Sequence, residues 1–381
     1  MKFSNRLNNF SEYIFSVLDK KVIEVEKKTG RKVLSFSTGS PDFPPSTTYV
    51  KKLQQFITEP NTHLYPGYGA IPELSEALQS WYKERFFVDI DDNELLPLLG
   101  AKDGVSHLPL ALLDEGNEFL VPDPGYPAFT GPAKMIGAKP IYYNLSEKNN
   151  FKINLIELEQ KITTKTKYIW VNFPSNPTGQ VAGVEELKEI VDFAKRHKIW
   201  LIYDNAYSEI TFDGFVAPSI LQVIGAKEIA VEIGSFSKMF SFAGFRMGWI
   251  VGNNQVIRAL SKIKSQIDSG MSKPLQQLGA YSLNHYDQDW HKQMIKSYEK
   301  RRNIIVNNLK RIGLKANKNK GSLYLWVRIP DNYKNSDEFS FELLEKKQIL
   351  LTPGTAFGRN GERFVRISIC VNINNIDKYF D

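Results

Sequence analysis

Lys238 stands in the run Ser235-Phe236-Ser237-Lys238, and Arg246 follows within Gly244-Phe245-Arg246-Met247-Gly248. An amine beside two hydroxyls and a guanidinium suits covalent capture of a phosphorylated aldehyde. The amine of Lys238 condenses to a Schiff base, while Ser235, Ser237 and Arg246 receive the phosphate. A serine–lysine run by itself is common on solvated loops, so the reading depends on its neighbours. Two other segments agree with it. Asn172-Phe173-Pro174-Ser175-Asn176-Pro177-Thr178-Gly179 follows the apolar run 168–171, as a buried strand delivering a rigid turn. A second apolar run, 199–203, ends in Asp204, with the phenol of Tyr207 three residues beyond. Each piece has an ordinary explanation as a turn or a cap. Together, Asn176, Asp204, Tyr207 and Lys238 bring an amide, a carboxylate, a phenol and an amine to three successive turns.

Those side chains need a scaffold that gathers strand ends. Runs 118–121, 167–171, 199–203 and 229–233 read as buried strands, and Val184, Leu187, Ile190, Val191 and Ala194 share one helix face between two of them. This is the α/β pattern of a mostly parallel central sheet flanked by helices, in which ligands collect where strands end. The stretch Leu98-Leu99-Gly100-Ala101-Lys102-Asp103-Gly104 leads into the helical period of Val105, Leu108 and Leu112. A glycine-led turn into a helix start offers free backbone N–H groups to an anion. The chain shows no internal repeat, low-complexity segment or linker. We expect an N-terminal arm over 1–45 that joins the smaller lobe, a large domain over 46–273, and a smaller α+β domain over 274–381. The break falls near Lys273-Pro274. Beyond it lie a helical region 289–312, strands at 322–328 and 363–369, and a helix at 338–346.

From about residue 10 to residue 370 the chain resembles the class I/II aminotransferases, the fold-type I pyridoxal-phosphate family. The likeness is strongest to the LL-diaminopimelate aminotransferase group and its alanine and methionine aminotransferase neighbours. Gly100-Ala101-Lys102-Asp103-Gly104 with His107-Leu108, Pro122-Asp123-Pro124-Gly125-Tyr126-Pro127, the segment 203–209, Pro218-Ser219, Gly225-Ala226-Lys227 and Ile267-Asp268-Ser269-Gly270 carry that likeness.

The resemblance implies pyridoxal 5′-phosphate as cofactor, acting as an electron sink once a substrate Cα–H bond breaks. It makes Lys238 the Schiff-base lysine and proton shuttle, and Asp204 the partner of the pyridine nitrogen. Asn176 and Tyr207 bond the ring 3′ oxygen, and Tyr126 stacks on the ring. The amides of Ala101 and Lys102 join Ser235, Ser237 and Arg246 on the phosphate. Tyr65, in His63-Leu64-Tyr65-Pro66-Gly67, reaches the phosphate of the other subunit, which implies a homodimer with shared sites. Arg366, in Phe364-Val365-Arg366-Ile367-Ser368, grips the α-carboxylate as a fork, a task less suited to lysine. The backbone at Gly39 closes over the same carboxylate, while Tyr13 and Asp268 meet the substrate side chain. The reaction implied is ping-pong exchange of an amino group between an L-amino acid and a 2-oxo acid, with LL-diaminopimelate as donor and 2-oxoglutarate as acceptor. Alanine, methionine or aromatic aminotransferases, and C–S lyases of the same fold, are the alternatives. A regulatory module built on this fold is disfavoured, because Lys238 and Asp204 are present and Gly39 follows Met1 too soon for a winged helix ahead of it. The chain departs from the subgroup at Ser241-Phe242-Ala243 and in a short segment after Asn372-Ile373-Asn374-Asn375-Ile376, and both departures bear on substrate choice.

Composition narrows the remaining classes. The 381 residues suffice for a large core and a second domain. The 49 basic against 42 acidic residues give +7, but the basic side chains are dispersed rather than drawn into a stripe, so nucleic acid is not an expected partner. Cys370 is the one cysteine, which excludes an internal disulfide framework and suits a reducing compartment. Five histidines in no zinc spacing give no metal site, and no apolar run is of membrane length. A cytoplasmic enzyme is the expectation.

Overall fold

A computed structural model describes residues 2–10, 12–374 and 376–380; Met1, Ser11, Asn375 and Asp381 lie outside the described residues. Twelve strands occur among those described: β1 (Leu34–Ser35), β2 (Leu95–Leu98), β3 (Glu118–Asp123), β4 (Lys139–Asn144), β5 (Thr166–Asn172), β6 (Trp200–Asp204), β7 (Ala230–Ser235), β8 (Gly248–Gly252), β9 (Tyr324–Arg328), β10 (Ile349–Leu350), β11 (Thr352–Pro353) and β12 (Phe364–Ser368). Seven of them form one sheet in the order β2-β8-β7-β6-β5-β3-β4. Its pairs are parallel except that β8 runs antiparallel to both β2 and β7.

The central strands read as continuous apolar runs because both faces of the sheet are covered. Alternate residues serve alternate faces. Leu120, Ile169, Val171, Leu201 and Tyr203 pack with the helices Pro72–Phe86 and Val184–His197. Phe119, Val121, Tyr168, Trp170, Ile202 and Ile233 pack with the helices Ala101–Leu112 and Asn254–Lys264. The Val184–His197 helix starts where the Glu186 carboxylate accepts the Gly183 N–H at 3.0 Å, and it ends at Lys198 in a left-handed conformation. It buries Leu187, Ile190, Val191 and Ala194 as its spacing predicts. Val184 differs: as the first helical residue it is 40% exposed, and Phe193 is buried on that helix too.

A second core lies beneath the antiparallel sheet β11-β12-β9, where Leu325, Val327, Val365 and Ile367 meet Tyr298 and Ile305 of the long helix Gln288–Leu309. Helix Ser336–Lys347 crosses between β9 and β10. The N-terminal arm joins this region: β1 pairs in parallel with β10, and Ser368 N–H donates to the Phe36 carbonyl at 2.9 Å. Helix Lys273–Asn284 behaves otherwise than its place after residue 273 suggests. Its Leu278, Ala280 and Leu283 belong to the core of the large sheet, packed against helices Thr47–Ile57 and Pro72–Phe86. Its apolar face finds its partners there, whatever its position in the chain.

Candidate active site

Strands β5, β6 and β7 end side by side, and one hydrogen-bonded asparagine registers two of those ends. Asn172, the last residue of β5, donates from Nδ2 to the Asp204 carbonyl at 2.8 Å and accepts the Asn176 N–H at Oδ1, 2.9 Å away. It thereby fixes the turn carrying Asn176 against the strand carrying Asp204. Glu232, buried in β7, adds a second anchor by accepting from Ser219 Oγ at 2.6 Å, Tyr82 Oη at 2.8 Å and Asn205 Nδ2 at 3.3 Å. The short helix Phe236–Met239 begins at Ser235, whose Oγ accepts the Ser237 N–H at 3.2 Å, and so aims Lys238 at the same place.

The result is a cavity of about 460 Å³ lined by Asn176, Asp204, Tyr207, Ser235, Ser237, Lys238 and Arg246 together with Tyr13, Gly39, Ala101, Lys102, Tyr126 and Arg366. Lys238 Nζ donates to the Gly39 carbonyl at 2.9 Å and, among the described residues, pairs with no carboxylate. Burial lowers its amine to about 8; Cys370 opposes this, Arg366 and Arg246 press the same way, and Asp204 opposes. Burial likewise pushes the Asp204 carboxyl up to about 6, against the Ala206 N–H and the charge of Lys238. The Tyr207 phenol is pushed well above its ordinary range, chiefly by burial. An amine whose titration is brought toward physiological pH can serve there as nucleophile and as base.

One end of the cavity is built for an anion. Gly100, at φ +84°, starts the helix Ala101–Leu112, and a Cβ there would lie 2.3 Å from Arg246 Nη2. The absent side chain lets the guanidinium stand at the helix start, where the free N–H groups and the helix dipole already favour negative charge. Ser235 and Ser237 line the same cavity. The other end has a buried cation. Arg366 donates from Nη1 to Asn176 Oδ1 at 3.1 Å and from Nη2 to the Ser37 carbonyl at 2.6 Å, while its buried Nε has no partner among the described residues. Phe15, Tyr324 and Phe357 surround the guanidinium at 5.0, 4.2 and 4.7 Å. An orphaned guanidinium N–H in an aromatic cage is matched by a carboxylate. A phosphate cradle, a reactive amine, a carboxylic acid and an amide donor within one cavity fit pyridoxal phosphate.

Tyr65 is expected in the other subunit's site and Asp268 in this one, and neither lines this cavity. Tyr65 is 87% exposed and does not line this chain's cavity. Asp268 does not reach it either: its Oδ2 accepts from Lys264 Nζ at 2.7 Å, and its Oδ1 accepts the Gly270 N–H at 2.8 Å. Lys264 is itself buried and also bonds Asp103, whose other oxygen lies 2.5 Å from His107 Nδ1. Asp103, His107 and Asp268 have the spacing of metal ligands, but the Lys264 ammonium already serves both carboxylates. Sequence reasoning missed Phe15, Asp19 and Tyr324, which line the cavity. Tyr324 faces the site because it pairs with Ser368, two residues along β12 from Arg366, and nothing in the local sequence discloses that register.

The family model for aminotransferases of class I and II matches residues 31–381. The LL-diaminopimelate aminotransferase of Halothermothrix orenii is 38% identical over 377 residues, covering 99% of this chain and 96% of that protein. That of Aquifex aeolicus is 38% identical over 371 residues, 97% of this chain and 95% of its own. Among solved structures, substrate-bound BacF from Bacillus subtilis superimposes with a TM-score of 0.92 at 32% identity, covering 100% of this chain and 96% of its own. A Thermus thermophilus aspartate aminotransferase variant shares the fold at a TM-score of 0.93 and 22% identity, covering 100% and 98%.

Proposed function

This chain belongs to the aminotransferases of class I and II, works with pyridoxal phosphate on amino acids and 2-oxo acids, and, we propose, takes LL-diaminopimelate as donor and 2-oxoglutarate as acceptor. The observation that carries the substrate reading is the charge at the cavity mouth. Exposed Lys102 and Asp19 both line the cavity, and the Lys102 ammonium stands 5.3 Å over the ring of Tyr13. Diaminopimelate ends in a second carboxylate and a second ammonium, and a lysine and an aspartate complement that pair. The relatives named for this substrate match over nearly the whole length of both chains.

When bound, pyridoxal phosphate supplies an electron sink for the pair left on Cα. The helix start at Ala101 and Lys102, with Ser235, Ser237 and Arg246, would hold its phosphate. Tyr126 would cover its ring, and Asp204 would meet its ring nitrogen with a charge-assisted bond. Asn176 has given its Oδ1 to Arg366, which leaves Nδ2 free to donate to the 3′ oxygen beside Tyr207. Lys238 would hold the aldehyde until the substrate amine takes its place, and its freed amine, brought down to about 8 by burial, would then take the substrate Cα proton. Arg366 and the backbone at Gly39 orient the α-carboxylate so that this proton faces Lys238. Tyr13 borders the side-chain space from the N-terminal arm. We further assign the chain to a cytoplasmic homodimer in which Tyr65 of the partner subunit completes each phosphate site. Its smaller lobe joins residues 1–45 to the chain that follows helix Lys273–Asn284, the helix itself packing with the large sheet.

Absorption spectroscopy tests the substrate. LL-diaminopimelate and glutamate should each bleach the yellow band, with no free ammonia released. Bleaching by alanine, methionine or phenylalanine but not by diaminopimelate sinks the substrate reading, and ammonia release marks a lyase. Lys102→Ala keeps the backbone amide. It should raise KM for diaminopimelate about tenfold or more.

A further inference from the structure

Tyr324, the first residue of β9, stands where three groups of the site meet. Its hydroxyl lies 3.1 Å from that of Tyr207. Its ring faces the Arg366 guanidinium at 4.2 Å. It passes so close to Gly39 that a Cβ there would sit 1.8 Å from the Tyr324 oxygen, and the Gly39 carbonyl is the one that accepts Lys238. The two tyrosine rings meet edge to face, with centroids 5.9 Å apart, so their hydroxyls touch without stacking. Both side chains are buried.

We propose that Tyr324 is a positioning residue: it donates its hydroxyl proton to Tyr207 and so commits the proton of Tyr207 to the 3′ oxygen of the cofactor. This rests on the assignment of Tyr207 to that oxygen. The argument is a count of protons. A phenol has one proton to donate. In the pair alone either oxygen can be the donor. Once the 3′ oxygen takes the proton of Tyr207, only Tyr324 can supply the bond between the two hydroxyls. The chain from Tyr324 through Tyr207 then polarises along its length, because the surroundings are of low dielectric. Without Tyr324, the Tyr207 hydroxyl is free to turn and its donation weakens.

The effect has a direct readout. A donor on the 3′ oxygen favours its negative form, and so lowers the pH at which the lysine-linked cofactor gives up its proton. The other groups facing the tyrosine pair are Arg366 on β12, Asp204 on β6, Lys238 at 5.7 Å from the Tyr207 ring, Tyr13 on the N-terminal arm and Cys370. Removing one neutral hydroxyl leaves all of these charges in place, so a shift reports the hydrogen bond.

The experiment is a pH titration of the visible absorption of the holoenzyme and three variants. Tyr207→Phe should raise the midpoint by about one unit, the loss of one hydrogen bond to a charged oxygen. Tyr324→Phe should raise it by about 0.3 to 0.5 of a unit, the share owed to polarisation and orientation. The double variant should match Tyr207→Phe alone, since a donor with nothing to relay to has no further effect. A Tyr324→Phe midpoint equal to that of the parent, with Tyr207→Phe shifted, overturns the relay. Additive shifts overturn it too, because Tyr324 would then act on the cofactor directly. An unshifted Tyr207→Phe removes the assignment of Tyr207 on which the relay stands. Melting of the cofactor-free Tyr324→Phe protein within a few degrees of the parent separates the relay from loss of packing.

Discussion

Lys264, buried, and Lys238, half-buried in the cavity, are two lysines that the chain treats in opposite ways. Lys264 sits among carboxylates: it bonds Asp103 and Asp268, and His107 adjoins Asp103 from the other side. Burial pushes the Asp103 carboxyl up, yet His107 and Lys264 outweigh it and hold it below the ordinary range. Lys238 has a single carbonyl for a partner, two guanidinium groups in its neighbourhood, and an amine brought down to about 8. Burial is common to both. The difference is the opposite charge: where it is supplied, a lysine becomes a fastening, and where it is withheld, the amine becomes a reagent.

Breaking each lysine should therefore give a different kind of loss. The largest expected effect is on turnover. Lys238→Ala removes the amine that binds the aldehyde and moves the proton, and kcat should fall by about 10³-fold or more, measured with excess cofactor. Near-normal turnover would falsify the role of Lys238. Lys264→Met should leave the buried Asp103 and the half-buried Asp268 without their shared cation and cost about 3–5 kcal/mol of stability, read by denaturant unfolding. A loss below about 1 kcal/mol would mean that water already compensates the cluster. Replacing Asp103, Lys264 and Asp268 together by Asn, Met and Asn should cost less than Lys264→Met alone, because no charge is then stranded.

The smallest effect carries a sign. In the cofactor-free protein, Lys238→Met should be more stable than the parent at pH 7, by at most about 3 kcal/mol, because the cavity lets some water reach the amine. Below about pH 8 the amine is protonated both folded and unfolded, so the folded chain bears the whole cost. Above the ordinary 10.5 it is neutral in both and the cost is gone. The advantage of the variant should therefore fade between those values, and a pH-independent difference would show that it came from packing.

What the sequence disclosed follows from chain topology. In a parallel sheet, strands of one apolar type end on the same edge, so Asn176, Asp204 and Lys238 could be placed together from three runs and the residues after them. The glycine before Ala101 announced the anion site in the same way, through a local rule about helix starts. Arg366 was recognisable only through resemblance. Its cage of Phe15, Tyr324 and Phe357 was not legible, because those side chains come from the N-terminal arm, from the register of β9 on β12, and from a turn after β11. Asp268 was misplaced for a related reason. Its sequence position suggested the substrate, but Lys264, four residues earlier, is the cation that it faces. Contacts between distant segments are decided by packing, and a charge does not reveal in sequence which cation will be buried beside it.

The hydrogen bond from Arg366 to the Ser37 carbonyl joins residues 329 positions apart. On a ribosome the seven-stranded sheet can close long before the second of those residues exists, while the segment around Ser37 waits without its partners. Closing so long a loop gains nothing until β12 has formed and its contacts repay the lost freedom. The phosphate cradle and the reactive lysine are thus present in the nascent chain before the arginine that receives the substrate. A chain stalled late in translation would hold the cofactor site but not the grip, capable of taking on colour yet not of turning over.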